Sequence, residues 1–280
     1  MDIYYVDGKF VKEDDAVISV KDMSVLRGYG VFDFLRTYGG KPFHLEDHIK
    51  RLENSARLIG IHVPCSNVEI ADIVMRTLAE NNHEESNIRL VITGGISPDS
   101  ITPTNTSKLM VMVTELHPLP PEWYTKGVKI ITSDVVRYMP GAKSTTYLQA
   151  IVVLNNARDQ GAIESIYVDQ NNRLLEGTTT NLFMFFGDKL VTPKGGILPG
   201  ITRQVLLDIF KDEFEIEIRD IDKNEIGNAD EAFISASNKE IVPVVKINDL
   251  TIGDGKIGPK VRRVTEVFTA YTTEYGRSAG

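Results

Sequence analysis

One lysine stands where an amine could react. Lys143 lies among small residues in Gly141-Ala-Lys143-Ser-Thr-Thr-Tyr147, just ahead of a stretch with helical periodicity. An amine partly removed from water loses proton affinity there and can add to a carbonyl carbon. The plainer alternative is a solvated lysine in a turn, since lysines are mostly exposed. Further along, Leu175-Glu176-Gly177-Thr178-Thr179-Thr180-Asn181 sets a carboxylate at a strand end, followed by a run of hydroxyls. Such a carboxylate can keep a ring nitrogen protonated, and a solvated polar turn has the same composition. Leu198-Pro-Gly200-Ile201-Thr202-Arg203 opens a helix, and free backbone N–H groups at a helix start favour an anion such as phosphate. An ordinary glycine-mediated helix entry would also read this way. Ser235-Ala-Ser237-Asn238-Lys239-Glu240 follows a strand and offers one more hydroxyl to a phosphate, or is a plain polar loop.

These segments need elements to position them. Apolar alternation from Ile3 to Val11 around Asp7-Gly8 predicts a β-hairpin, and Val31 to Phe43 around Gly39-Gly40 predicts a second. Leu45, Ile49, Leu52, Ala56 and Ile59 recur at helical spacing, with Gly60 as the stop. Ser66 and Glu69 make a capping-box pattern ahead of Ile70, Ile73, Val74 and Leu78. Strands are expected over 87–93 and 108–114. Proline-rich residues 116–121 suit a linker, because proline cannot donate in a ladder. Beyond it, short strands near 128–132, 163–168, 182–186, 189–191, 214–218, 232–235 and 241–245 alternate with helices over 147–159, after Gly200 and over 259–275. The reading is an α+β chain of two domains: a small N-terminal domain over 1–115, a linker over 116–124 and a larger domain over 125–280.

Composition narrows the class of function. The chain has 280 residues, 42% hydrophobic and 25% charged, which suits a globular protein with a real core. Asp and Glu number 39 against 31 Lys and Arg, for a net charge of −8. Nucleic-acid binders usually carry a basic excess, so no nucleic-acid partner is expected. No apolar run approaches the roughly 20 residues that span a bilayer, and no membrane partner is expected. Cys65 is the single cysteine and the five histidines show no HExxH spacing, so neither an intrachain disulfide nor a metal site is expected. The N-terminus does not read as a signal peptide, and the expected location is cytoplasmic.

Taken in order, the lysine, the Glu-Gly-Thr-Thr-Thr-Asn loop, Leu-Pro-Gly-Ile-Thr-Arg and Ser-Ala-Ser resemble the fold type IV pyridoxal-phosphate enzymes, the class IV aminotransferases. The N-terminal stretches Arg27-Gly-Tyr-Gly-Val-Phe-Asp-Phe-Leu-Arg36 and His44-Leu-Glu-Asp-His-Ile-Lys-Arg51-Leu agree, so the resemblance covers nearly the whole chain. It implies pyridoxal 5′-phosphate as cofactor, a small α/β domain joined to a pseudo-barrel domain, and a homodimer. It also implies roles. Lys143 would bond the cofactor aldehyde and later move a proton, and Glu176 would pair with the pyridine nitrogen. Arg51 would grip the phosphate together with the amides of Ile201 and Thr202 and the hydroxyls of Thr202 and Ser237. Tyr147 would sit near the phenolic oxygen, and Thr178, Thr179 and Asn238 would line the substrate. Read by periodicity alone, Arg51 is a solvated arginine on an amphipathic helix.

The subfamily pattern is mixed. The Glu-Gly-Thr-Thr-Thr-Asn loop is nearer the D-amino acid aminotransferase and aminodeoxychorismate lyase form. The Arg-x-His carboxylate trap usual in D-amino acid enzymes is missing from Gly94-Gly-Ile-Ser-Pro-Asp-Ser100. Arg89 lies on the preceding strand, as arginine tends to in branched-chain enzymes, and Arg27 stands where those usually have tyrosine. Both arginines are candidate substrate-carboxylate residues; Arg27 reads equally as a surface ion pair. The expectation is an amino acid:2-oxo acid transaminase leaning toward D-amino acids such as D-alanine, with 2-oxoglutarate or pyruvate as acceptor. A branched-chain L-amino acid aminotransferase is the alternative, and an aminodeoxychorismate lyase the second.

Overall fold

The structure, a computed structural model, describes residues 1–278. The chain separates into two compact units. The first comprises Met1–His117, takes in Ala142–Tyr147, and receives the chain again from Thr272. The second comprises Pro118–Gly141 and Leu148–Tyr271.

In the first unit the elements run β1 (Ile3–Val6), β2 (Lys9–Lys12), α1 (Met23–Arg27), β3 (Gly30–Tyr38), β4 (Lys41–Pro42), α2 (Leu45–Ile59), α3 (Asn67–Ala79), β5 (Ser86–Thr93) and β6 (Leu109–Glu115). The strands form one sheet in the order β2-β1-β6-β5-β3-β4. Both predicted hairpins are present and antiparallel. The predicted capping box at Ser66 and Glu69 starts α3, and Gly60 closes α2 in the left-handed conformation. Period-2 alternation sends Val31 and Leu35 of β3 and Ile88, Leu90 and Ile92 of β5 into one core with Ile49 and Leu52 of α2. Leu35, Leu52 and Leu90 are wholly buried, each burial contributing about 1.5–3 kcal/mol.

In the second unit come α4 (Pro121–Thr125), β7 (Val128–Asp134), α5 (Leu148–Asp159), β8 (Ser165–Val168), β9 (Arg173–Gly177), β10 (Asn181–Phe186), β11 (Lys189–Pro193), α6 (Ile201–Phe210), β12 (Glu215–Arg219), β13 (Ile221–Asp222), β14 (Glu231–Ala236), β15 (Glu240–Ile247), β16 (Leu250–Thr251) and the first part of α7 (Pro259–Arg277), which passes to the first unit at Thr272. The proline-rich stretch expected to be irregular ends in helix α4, because Pro121 occupies the first helical position, where its missing N–H costs nothing. The sheet runs β12-β11-β10-β14-β15-β7-β8-β9-β13, with β16 beside β15. Two parallel pairs, β7/β8 and β11/β12, are joined by crossover helices α5 and α6. The registers Asn181↔Ser235 and Ser235↔Ile241 put the start of β10, the end of β14 and the start of β15 side by side. Met184↔Val191 brings the end of β11 to the same end of the sheet. The loops that carry chemistry in the sequence reading leave from there.

Candidate active site

In the first unit, alternation along β3 splits its side chains between two faces. Val31, Asp33 and Leu35 face α2; Phe32 and Phe34 face the other way. Residues 142–147 lie along the start of β3. Phe32 N–H donates to the Lys143 carbonyl (2.9 Å), Thr145 N–H donates to the Gly30 carbonyl (2.9 Å), and Val31 bridges Ser144. Lys143 N–H donates to Ser55 Oγ (3.1 Å), so the lysine backbone is fixed on both sides. Its half-buried amine lies over the Phe32 ring, Nζ 4.7 Å from the centroid. Tyr147 packs edge-on against the same ring at 5.5 Å. Arg89 of β5 lies over it too, Cζ 5.4 Å from the Phe32 centroid and 5.3 Å from that of Phe34. Phe32 thus gathers an amine, a phenol and a guanidinium.

On the opposite face of β3, Asp33 is wholly buried. Its two carboxylate oxygens accept from Arg51 Nε (2.8 Å) and Nη2 (2.7 Å), a bidentate pair, and Oδ1 lies 2.7 Å from His48 Nδ1. Burial by itself would raise the Asp33 carboxyl, but the charges and hydrogen bonds of Arg51 and His48 hold it well below the usual carboxylate range. Burial pushes the His48 imidazole down, against the opposing pull of Asp33. Arg51 is therefore a buried, oriented cation rather than the solvated arginine that helix periodicity alone suggests. Arg27, by contrast, ends α1 exposed, with Nη1 donating to the Leu26 carbonyl (2.8 Å).

The second unit holds the remaining predicted residues. Glu176, buried near the end of β9, accepts from Arg137 Nη1 (2.7 Å) on Oε1 and from the Leu198 N–H (2.9 Å) on Oε2. Arg137 supplies the opposite charge that a buried carboxylate requires. A carboxylate has about four acceptor sites, so it can take a ring N–H besides these two donors. Asn181 Nδ2 donates to the Leu198 carbonyl (3.1 Å), and a Cβ on Gly200 would fall 2.0 Å from Asn181 Oδ1, so a side chain there would displace the Asn181 amide. Helix α6 starts at Gly200 with no side-chain cap. Its first N–H groups, those of Ile201 and Thr202, are left for another acceptor. Thr202 is buried beside them.

The threonine run is organised by a residue that the sequence reading passed over. Glu164, wholly buried, accepts from the Thr178 N–H (2.9 Å), the Thr179 N–H (3.2 Å) and Thr179 Oγ1 (2.9 Å), and from the hydroxyls of Thr178 and Thr180. The hydroxyls of Thr178 and Thr179 are thus donated inward. In the neighbouring turn Ser237 is half-buried and Asn238 exposed. Ser235 Oγ is buried with no hydrogen-bond partner among the described residues. No group of His, Cys, Asp and Glu suited to a metal occurs among the described residues.

A phosphorylated pyridine fits the second unit's donors. An uncapped helix N-terminus and the orphaned Ser235 hydroxyl suit its phosphate. A buried carboxylate already fixed by Arg137 suits a protonated ring nitrogen.

Comparison with known proteins agrees with this chemistry. The chain matches the family of class IV amino-transferases over residues 30–247. It is 34% identical over 280 residues to a provisionally named branched-chain-amino-acid aminotransferase of Methanocaldococcus jannaschii, covering 97% of each chain. It is 30% identical over 280 residues to a D-alanine aminotransferase of Staphylococcus epidermidis, covering 95% of this chain and 96% of that one. Its structure resembles a T.th. branched-chain amino acid aminotransferase solved with pyridoxamine 5′-phosphate, with a TM-score of 0.91 at 27% identity over 98% of this chain and 94% of that one. The fold is that of the fold type IV aminotransferases, with a small α/β unit and a pseudo-barrel sheet. The chain belongs to the class IV aminotransferases, a class that uses pyridoxal phosphate, and it is an enzyme of that class.

Proposed function

We propose that the chain is a pyridoxal-phosphate-dependent transaminase that moves an amino group between a branched-chain amino acid and 2-oxoglutarate. The observation that carries the reading is the gathering of Lys143 and Arg89 over the one Phe32 ring. An amine that can bond a carbonyl carbon then has beside it a guanidinium that can bind a substrate carboxylate. The 34% relative and the solved branched-chain enzymes support the substrate class. The D-amino acid reading keeps specific support from the Glu-Gly-Thr-Thr-Thr-Asn loop and from the 30% relative, and it stands second.

When bound, the cofactor supplies a ring that accepts the electron pair left as the substrate Cα loses its proton. Lys143 Nζ takes that proton and returns it. Glu176 holds a proton on the ring nitrogen, with Arg137 and the Leu198 N–H fixing the carboxylate. Arg51, oriented by Asp33, and the N–H groups of Ile201 and Thr202 with the Thr202 and Ser237 hydroxyls bind the phosphate. Tyr147 serves the phenolic oxygen. A single-turnover panel tests the substrate: L-leucine is expected to convert the cofactor spectrum. Conversion by D-alanine alone would replace the first reading with the second, and pyruvate release from aminodeoxychorismate would replace both.

Arg89→Ala is expected to raise KM for 2-oxoglutarate. Loss of a charge-assisted partner costs about 1.5–3 kcal/mol, or roughly ten- to a hundredfold. Cofactor affinity, the task of Arg51, should stay as in the wild type. An unchanged KM in steady-state kinetics would return Arg89 to packing on Phe32 and Phe34.

The homodimer belongs to the same reading. Val17, Val20, Val25 and Leu26 are exposed in the first unit, and Leu148, Ile151 and Val152 are exposed on α5 in the second. Light scattering is expected to give twice the chain mass, and an active monomer would refute it.

A further inference from the structure

We propose that Lys239 is a substrate-binding residue whose ammonium group receives the carboxylate common to the amino acid and the 2-oxo acid. The proposal rests on the transaminase reading, which supplies the ligand class. Strand register sets the geometry. Asn181 pairs with Ser235, so the turn at 178–180 and the turn at 236–239 leave the same end of the sheet as neighbours. Lys239 spans the interval between them, with Nζ donating to Thr179 Oγ1 (2.9 Å). Thr179 is exposed, whereas Thr178 and Thr180 on either side are buried. The amine therefore rests on the open side of the turn that directly follows Glu176-Gly177.

The company Lys239 keeps is unusual for a half-buried cation. Lys108, Lys189, Lys223 and Lys260 each pair with a carboxylate. Among the described residues the Lys239 amine has no ion pair, and its one hydrogen bond goes to a neutral hydroxyl. The nearby acid, Glu164, is already supplied by the backbone N–H groups of Ser165, Thr178 and Thr179 and by three threonine hydroxyls. The Thr179 hydroxyl that accepts from Lys239 donates its own hydrogen bond to Glu164 Oε2. Glu164 thus fixes the turn, the turn fixes Thr179, and Thr179 holds the ammonium in place. Burial pushes the Lys239 amine down, and the charge of Glu164 only partly opposes this. An ammonium carries three donors, and one hydroxyl uses a single one. An arriving carboxylate would supply both the missing acceptors and the missing opposite charge. Both half-reactions of a transaminase bring such a group.

The test uses the cofactor-loaded enzyme and an unreactive monocarboxylate, 4-methylvalerate, beside its neutral amide. Dissociation constants are measured by calorimetry for the wild type, K239M and K239R. K239M is expected to weaken 4-methylvalerate about tenfold or more, as for a lost charge-assisted bond, with no change for the amide. K239R should recover most of the loss. Binding of the carboxylate by K239M within twofold of wild type would overturn the proposal. So would an equal weakening of carboxylate and amide, which would make Lys239 a scaffold for the two turns. Should K239M fail to fold or load cofactor, K239Q keeps a donor toward Thr179 without the charge, and the same two ligands decide. A wild type that binds the carboxylate through Lys239 yet transfers no amino group would overturn the transaminase reading and leave this one standing.

Discussion

Lys143→Ala is expected to abolish amino transfer while leaving the chain folded. The methylene stem and amine of Lys143 are half-buried, and the contact of Nζ with Phe32 at 4.7 Å is a cation–π interaction of about 0.5–1 kcal/mol at such a site. The backbone bonds that fix residue 143, to Ser55 Oγ and to the Phe32 N–H, do not involve the side chain. The melting temperature should therefore move by only a few degrees, on the order of what 1 kcal/mol gives. Loss of proton transfer alone costs roughly a hundred- to ten-thousandfold, and loss of the covalent link to the cofactor adds to it. Turnover within tenfold of wild type, with circular dichroism unchanged, would remove Lys143 from the chemistry.

Glu176→Gln is expected to slow the half-reaction by roughly a hundred- to a thousandfold, the usual range when one preorganised electrostatic partner is lost from a site. A neutral amide cannot hold a proton on the ring nitrogen, so the electron pair left at Cα has nowhere to go. The geometry adds a second penalty. Oε1 and Oε2 both accept from fixed donors, Arg137 Nη1 and the Leu198 N–H. The amide must turn its NH₂ toward one of them, donor against donor. The effect should fall on the rate constant rather than on substrate KM, and rapid-mixing spectroscopy separates the two. A half-reaction at the wild-type rate would leave Glu176 as an anchor for Arg137 and nothing more.

Local signals carried most of the secondary structure. The Asp7-Gly8 and Gly39-Gly40 turns, the Ser66 capping box and the Gly60 stop each act within a few residues, and each is where the sequence puts it. Helix α1 was not legible, because its five residues carry too little periodicity; its signals are its two caps alone, Asp22, whose side chain accepts from the Ser24 N–H, and Gly28 in the left-handed conformation. The residues with reactive side chains were legible as types: Lys143, Glu176 and the start of α6. Their partners were not. Asp33 lies 18 positions from Arg51, Arg137 lies 39 from Glu176, and Lys239 lies 60 from Thr179. Only strand register and helix docking bring such pairs together, and no spacing rule reaches that far. One trace was available for Asp33: an acid alternating with Val31 and Leu35 on a core-facing strand needs a buried cation, and Arg51 on the next helix meets that need.

The division of the chain has a consequence for how the protein can be taken apart or built. The backbone passes between the two units after His117, after Gly141, after Tyr147 and after Tyr271. Neither unit is one continuous stretch, so cutting at the proline-rich segment cannot release either intact. A fragment ending at His117 lacks the six residues that lie along β3, and with them Lys143. A fragment starting at Pro118 carries that amine on a segment whose hydrogen-bond partners, Phe32, Gly30 and Ser55, it does not possess. Lys143 is thus encoded between the two stretches of the second unit's sequence, yet it belongs to the first unit, whose residues hold it. Synthesis must pass residue 147 before even the smaller unit can complete its sheet face, and gene fragments recombined at residue 117 would inherit a lysine without its setting.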